Sequence, residues 1–155
     1  MTKKNFRSTL LVAVCALLAS LVLIMGCLYD YFAGLQSQAL RDELTLAASG
    51  VSQGGETYLD TIDSNRYRLT WIAPDGTVRY DNQSNAAGME NHLGREEIVQ
   101  ASETGTGFSK RFSQTLLEEQ LYCAQKLWDG SYLRLSATQS SLAGSLWRMG
   151  WALAV

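Results

Sequence analysis

The chain of 155 residues holds one histidine, one proline and three cysteines. Each scarcity excludes something. Cys15 and Cys27 fall inside an apolar segment, where they read as small packing residues. Cys123 stands alone in the remainder, so neither a disulfide framework nor metal-ligand spacing arises. The lone histidine, His92, has general-base capacity in principle. No nucleophile or second base joins it in a catalytic pattern, and it suits helix capping or loop hydrogen bonding. Glu90, Glu96 and Glu97 lie near it without the spacing of a metal site. Gly105-Thr106-Gly107 is followed by no Lys-Ser or Lys-Thr, so it reads as a turn and not a phosphate loop. No catalytic residue, metal or cofactor is therefore assigned to the chain. Basic clusters are missing too. All 15 acids lie between Asp30 and Ser141, with nine of the 13 Lys and Arg. That acidic stretch offers no patch for phosphates, which argues against nucleic acid as a partner.

Charge is also missing from residues 8–29, STLLVAVCALLASLVLIMGCLY. As a helix this run spans roughly 33 Å, about the thickness of a bilayer's hydrocarbon core. Lys3, Lys4 and Arg7 precede it, and Asp30 follows. The basic flank predicts a cytoplasmic N-terminus and an extracytoplasmic continuation. A cleaved signal has a shorter apolar core that ends at a small-x-small site, and no Ala-x-Ala closes this one. Ile24-Met25-Gly26-Cys27 loosely resembles a lipobox. Met25 fits that pattern poorly, and Leu28-Tyr29-Asp30-Tyr31-Phe32 is too apolar for the start of a mature lipoprotein. The reading is a cytoplasmic tail at 1–7, a transmembrane helix at 8–29, a single outer domain at 30–141, and at 142–155 the first turns of a second transmembrane helix. In that last segment Trp147, Arg148 and Trp151 suit a membrane-water interface. A packed or interfacial C-terminal helix is the alternative.

The outer domain reads as α+β. Two apolar rows continue the first helix: Leu28, Phe32, Leu35, Ala39 and Leu46, and beside them Leu40, Leu44, Ala47 and Val51. They need a partner, which is the domain's own sheet, a dimer mate, or both. Gly50 and Gly54-Gly55 bracket the predicted helix end. Tyr67–Ala73, the turn Pro74-Asp75-Gly76, and Thr77–Asp81 form a predicted hairpin. Gln120–Trp128, Asp129-Gly130 and Ser131–Thr138 form another. Between them come a polar loop from Asn82 to Gly94, a short helix from Arg95 to Glu103 with Glu96 and Glu97 in its first turn, and a strand from Phe108 to Thr115. Ile98 and Ala101 should face inward. About five antiparallel strands with a leading helix result.

Three segments carry a resemblance. Arg68 to Asp81 (RLTWIAPDGTVRYD) resembles the first hairpin of extracytoplasmic PAS-like sensor domains of the PDC or single Cache type. Met89-Glu90-Asn91-His92-Leu93, followed by Arg95-Glu96-Glu97-Ile98, resembles a segment recurrent in Firmicute sensor histidine kinases of the phosphate-regulon type. Tyr122 to Leu135 resembles the last hairpin of the same domain. The resemblance spans roughly residues 1 to 150. It implies a membrane-embedded homodimer that meets an external ligand or partner protein. It also implies a response regulator served by a cytoplasmic kinase region, with its ATP and Mg, absent from this chain. His92 lies in the outer loop and cannot be a phospho-accepting histidine, so no kinase activity is expected here. A chemotaxis receptor or cyclic-dinucleotide enzyme would use such a sensor equally, and a surface-anchored lipoprotein binding module is a rival of another class. By resemblance a ligand would sit between the sheet and the segment covering it, with Arg79, Tyr80, His92, Arg111 and Tyr122 as candidate contacts. Arginine suits carboxylate or phosphate through its planar fork. Arg79 and Arg111 read equally well as solvated strand residues.

Overall fold

A computed structural model describes residues 2–62, 67–113 and 118–139. The expected start of a second membrane helix, 142–155, lies outside the described residues. The chain forms two compact units, Met1–Leu35 and Gln36–Val155. The first is helical, and none of its described side chains is buried. Leu10, Leu17, Leu21, Val22 and Leu23 are all more than half exposed. A helix this apolar, with a mean hydropathy of 2.8 over its best window, is long enough to cross a membrane.

Helix α1 is assigned from Thr2 to Thr61, with a break at Gly55. The break falls within the bracket expected from Gly50 and Gly54-Gly55, and a further helical stretch follows it to Thr61. Gly55 adopts φ +58 and ψ −142, a left-handed geometry that glycine reaches without a Cβ penalty. The chain bends there, and the Tyr58 ring comes to lie where a side chain on Gly50 would otherwise stand. Gly50 is a packing site inside the helix, not its end.

In the second unit α1 leads into β1 (Arg68–Ile72), β2 (Val78–Asp81), a 3-10 turn (Ala86–Gly88), α2 (Glu96–Thr104), β3 (Thr106–Ser113), β4 (Glu118–Lys126) and β5 (Tyr132–Gln139). The five strands make one sheet in the order β2-β1-β5-β4-β3, antiparallel throughout. The α+β class, both hairpins and the short helix are as expected, with β3 beginning slightly earlier. Residues 114–117 lie outside the described residues.

Side chains alternate across a strand, so register fixes each face. Leu133 and Leu135 pair with Trp71 and Leu69, and Leu135 pairs with Cys123. These residues share a core with Leu121 and with Leu40, Leu44, Ala47, Ala48, Val51 and Leu59 of α1. The second apolar row of α1 therefore packs on the domain's own sheet. The first row, with Leu46 67% exposed, does not. On the opposite face Ile72, Val78, Ala124 and Tyr132 meet Ile98 and Ala101 of α2. Gly107 permits that contact, since a Cβ there would strike the Glu97 carbonyl.

Candidate functional site

The α2 face is apolar at one end only. Farther along the same strands the inward positions turn polar. Thr70 pairs with Arg134, Arg68 with Ser136, Tyr122 with Ser136 and Ser109, and Arg111 with Gln120. Thr70, Ser109, Arg134 and Ser136 are all buried. A buried polar sheet face demands partners, because an unpaired polar group away from water costs free energy. One partner comes from α2. Glu97 is fully buried, and its Oε2 accepts from the Ser109 hydroxyl at 2.7 Å and from the Arg111 guanidinium. Its Oε1 lies 3.5 Å from Nη1 of Arg134. Arg134 also donates to Thr70 Oγ1 at 3.2 Å, while its Nε is buried without a hydrogen-bond partner. The Tyr122 ring lies under both guanidinium groups, 4.4 Å from Arg111 and 5.6 Å from Arg134, within cation-π range. Its hydroxyl donates to Gln120 Oε1 at 2.9 Å.

The lid is the segment from Asn82 to Arg95, tied down from below. Asp81 accepts from Arg68 Nε at 2.9 Å, from the Thr70 hydroxyl at 2.8 Å and from the backbone N–H groups of Gln83 and Ser84. At the other end the Pro74-Asp75-Gly76 turn holds the chain. Asn91 donates its amide to the Asp75 carbonyl at 2.7 Å, and the His92 N–H donates to the Gly76 carbonyl at 2.9 Å. His92 is buried, with Nδ1 2.6 Å from the Glu90 carbonyl oxygen. That distance fits an Nδ1–H donating to the carbonyl.

Between lid and sheet lies a cavity of about 290 Å³ lined by Arg68, Met89, Glu90, His92, Arg95, Arg111, Tyr122 and Arg134. Four arginines and a histidine face one acid, Glu90, whose side chain is 90% exposed. Arg95 reaches it only at 3.9 Å. The field acts on the titrating groups. Burial pushes the His92 pKa down and the Arg134 and Arg95 charges push it further, against the Glu90 carbonyl and the Glu97 charge. Burial would raise the Glu97 pKa, but the Ser109 hydroxyl, its own backbone N–H and Arg111 outweigh it and hold the carboxyl below its ordinary range. The site is therefore an arginine-rich pocket whose guanidinium groups pair with Asp81, Glu97 and, at 3.9 Å, Glu90, with a neutral imidazole at its wall.

Three of the five candidate contacts, His92, Arg111 and Tyr122, come together in this cavity. Arg79 and Tyr80 do not line it. Arg79 sits over the Trp71 ring and 3.8 Å from Asp129. Tyr80 packs against the α1-side core, its hydroxyl 3.4 Å from the Leu59 carbonyl. Register explains this, since Tyr80 pairs with Trp71 on the α1 face and a bulge displaces Arg79. Sequence reasoning missed Arg68, Arg95, Arg134 and Glu97. The signal for Arg134 was present in Leu133-Arg134-Leu135, a charged residue between two core leucines and so on the sheet's other face. Among the described residues no group of three His, Cys, Asp or Glu side chains is placed to hold a metal. Glu97 is committed to arginines. No family model, curated protein or solved structure matches this chain.

Proposed function

We propose that this chain is the membrane-anchored, signal-sensing front of a two-component sensor histidine kinase, with the second unit on the extracytoplasmic side. The observation that carries the reading is a lidded, polar cavity on one face of a sheet whose other face packs on α1. A ligand that binds better with the lid in one arrangement biases the sheet, and with it the helix against which the sheet packs. The strand order β2-β1-β5-β4-β3 is compatible with the PAS-like sheet that the sequence resemblance implies. The apolar N-terminal helix supports the membrane anchor, and the basic residues before it support a cytoplasmic N-terminus. The exposed row Leu28, Phe32, Leu35 and Leu46 supports a homodimer in which two α1 helices meet. On this reading the kinase and its ATP would reside in a cytoplasmic region, which would serve a separate response regulator.

The test is the complete reading frame. A second membrane helix after residue 141, then a phospho-accepting histidine helix and an ATP-binding domain, is the expected result. A chemotaxis-type coiled coil or a cyclic-dinucleotide domain in that place would keep the sensor and replace the output. A frame with no cytoplasmic output domain would sink the proposal.

A further inference from the structure

We infer that His92 is an acid-operated latch for the lid: a proton taken up by its imidazole loosens the segment from Asn82 to Arg95 from the sheet. Acid as a stimulus rests on the sensor reading, while the latch itself needs no kinase. His92 is first of all the joint of the lid. Its N–H donates to the Gly76 carbonyl at 2.9 Å, and its carbonyl accepts from the Arg95 N–H at 3.1 Å, where α2 begins. Asn91 and Leu93, on either side of it, seat against Gly76 at a point where a Cβ would strike both. Asn91 adds its bond to the Asp75 carbonyl. A shift of the imidazole therefore moves both neighbours off the Pro74-Asp75-Gly76 turn and pulls on the first turn of α2.

The ring also holds one proton already. Its Nδ1–H donates to the Glu90 carbonyl, which leaves Nε2 to take the next. His92 is only 7% exposed, so an imidazolium there would stand almost out of water. Its surroundings are cationic. Arg95 and Glu90 face it from the lid, Glu97 from α2, and Arg68, Arg111, Tyr122 and Arg134 from the sheet. Asp81 is taken by Arg68 and Thr70, two guanidinium groups share Glu97, and the Glu90 side chain turns to solvent. The partial positive charge of the α2 N-terminus follows three residues on. Burial first, and then the Arg134 and Arg95 charges, hold the imidazole below its ordinary pKa while the lid is closed. An opened lid returns the ring to water, where it takes a proton at its ordinary value of about 6.5. The open state thus binds the proton better, and acid shifts the lid toward it.

The experiment follows amide hydrogen exchange of the full chain, without a histidine tag, in lipid nanodiscs, with rates corrected for the intrinsic effect of pH. Below about pH 7 the segment from Asn82 to Arg95 should lose protection by up to about tenfold per pH unit, the limit for one proton, while β5 keeps its own. The chain has a single histidine, so its imidazole NMR signals report the protonation directly. Protonation and opening should share one midpoint. His92→Gln should abolish the acid response of the segment, and Arg95→Gln should reduce it. Separate midpoints, an acid response that survives His92→Gln, or a loss of protection in β5 together with the lid would overturn the latch. Should His92→Gln fail to fold, the two midpoints of the unaltered chain decide. A chimera of this chain with a histidine kinase output separates the two claims. Acid opening that leaves its phosphorylation unchanged removes the sensor reading and keeps the latch. Phosphorylation that follows acid while the lid stays closed does the reverse.

Discussion

The two faces of the sheet are built to opposite specifications. The α1 face is continuous hydrocarbon: Leu69, Leu121, Cys123, Leu133 and Leu135 meet five aliphatic residues of α1 between Leu40 and Val51, together with Leu59. The α2 face is divided. Ile72, Val78, Ala124 and Tyr132 seat α2 at one end, and at the other Arg68, Thr70, Ser109, Arg111, Tyr122, Arg134 and Ser136 form a polar floor. Apolar burial stabilises a fold at roughly 25 cal/mol per Å² without needing geometry. A buried charged face gains little net stability even when every group is paired. Retaining one under a lid makes physical sense if the unpaired capacity serves a ligand. The contrast teaches that stability and recognition are separated by register, residue by residue, along the same strands.

The strongest way to break this contrast is at Glu97. Glu97→Ala leaves Arg111 and Arg134 beside each other without their shared carboxylate, and should cost about 3–5 kcal/mol, the range for removing one partner of a buried ion pair. Urea denaturation of the protein in micelles measures it. Formate, small enough for the vacated space, should recover part of the loss. A loss below about 1 kcal/mol would mean that the network is not a structural unit.

On the hydrocarbon face Leu133→Ala should cost about 2–5 kcal/mol through lost transfer energy and the cavity left behind. Leu133 is fully buried. The same chemistry on the outer row, Leu46→Ala, should change the stability of the monomer by no more than about 0.5 kcal/mol. If Leu46 matters as much as Leu133, a second copy covers that row in solution, and cross-linking through cysteine at position 46 would show it.

The α1 face was legible in the sequence, and the α2 face much less so. Apolar periodicity picked out Leu40, Leu44, Ala47 and Val51, as it did Ile98 and Ala101, though it marked the exposed row ending at Leu46 as well. Turn chemistry at Pro74-Asp75-Gly76 and Asp129-Gly130 placed both hairpins. The site did not announce itself, because arginines on strands look the same whether solvated or buried. Arg79 and Arg111 were indistinguishable in composition. Only the bulge beside Trp71 and the register of β3 against β4 send one onto the Trp71 ring and the other to Glu97. Glu97 itself had a sufficient local reading as an acid in a first helical turn, which hid its tertiary role. The break at Gly55 was legible from the Gly54-Gly55 pair, but the helical stretch that follows it to Thr61 was not.

A smaller effect probes the seam between the apolar and polar ends of the α2 face. Gly107→Ala drives a methyl into the Glu97 carbonyl and should cost about 1–3 kcal/mol by pushing α2 from the sheet. Because Glu97 moves with α2, a double-mutant cycle of Gly107→Ala with Glu97→Ala should show coupling, and one of Leu133→Ala with Glu97→Ala should not. Equal coupling in the two cycles would deny the separation of the faces.

The smallest effect is set by protons. His92 faces Glu90 and Arg95 of the lid, Glu97 of α2, and Arg68, Arg111, Tyr122 and Arg134 of the sheet. Its pKa is lowered in the folded protein, by burial first and then by the Arg134 and Arg95 charges. In the unfolded chain the imidazole takes a proton near its ordinary value of about 6.5. Below that value the unfolded state holds more protons than the folded one, so stability must fall as pH falls from neutrality toward the folded pKa. His92→Gln should remove that slope below about pH 7 while leaving the acid limb set by Glu97, whose lowered pKa keeps its contribution until the pH drops through the folded value. A slope that persists unchanged in His92→Gln would assign the loss to other groups and leave the buried imidazole with no part in the acid sensitivity of the polar face.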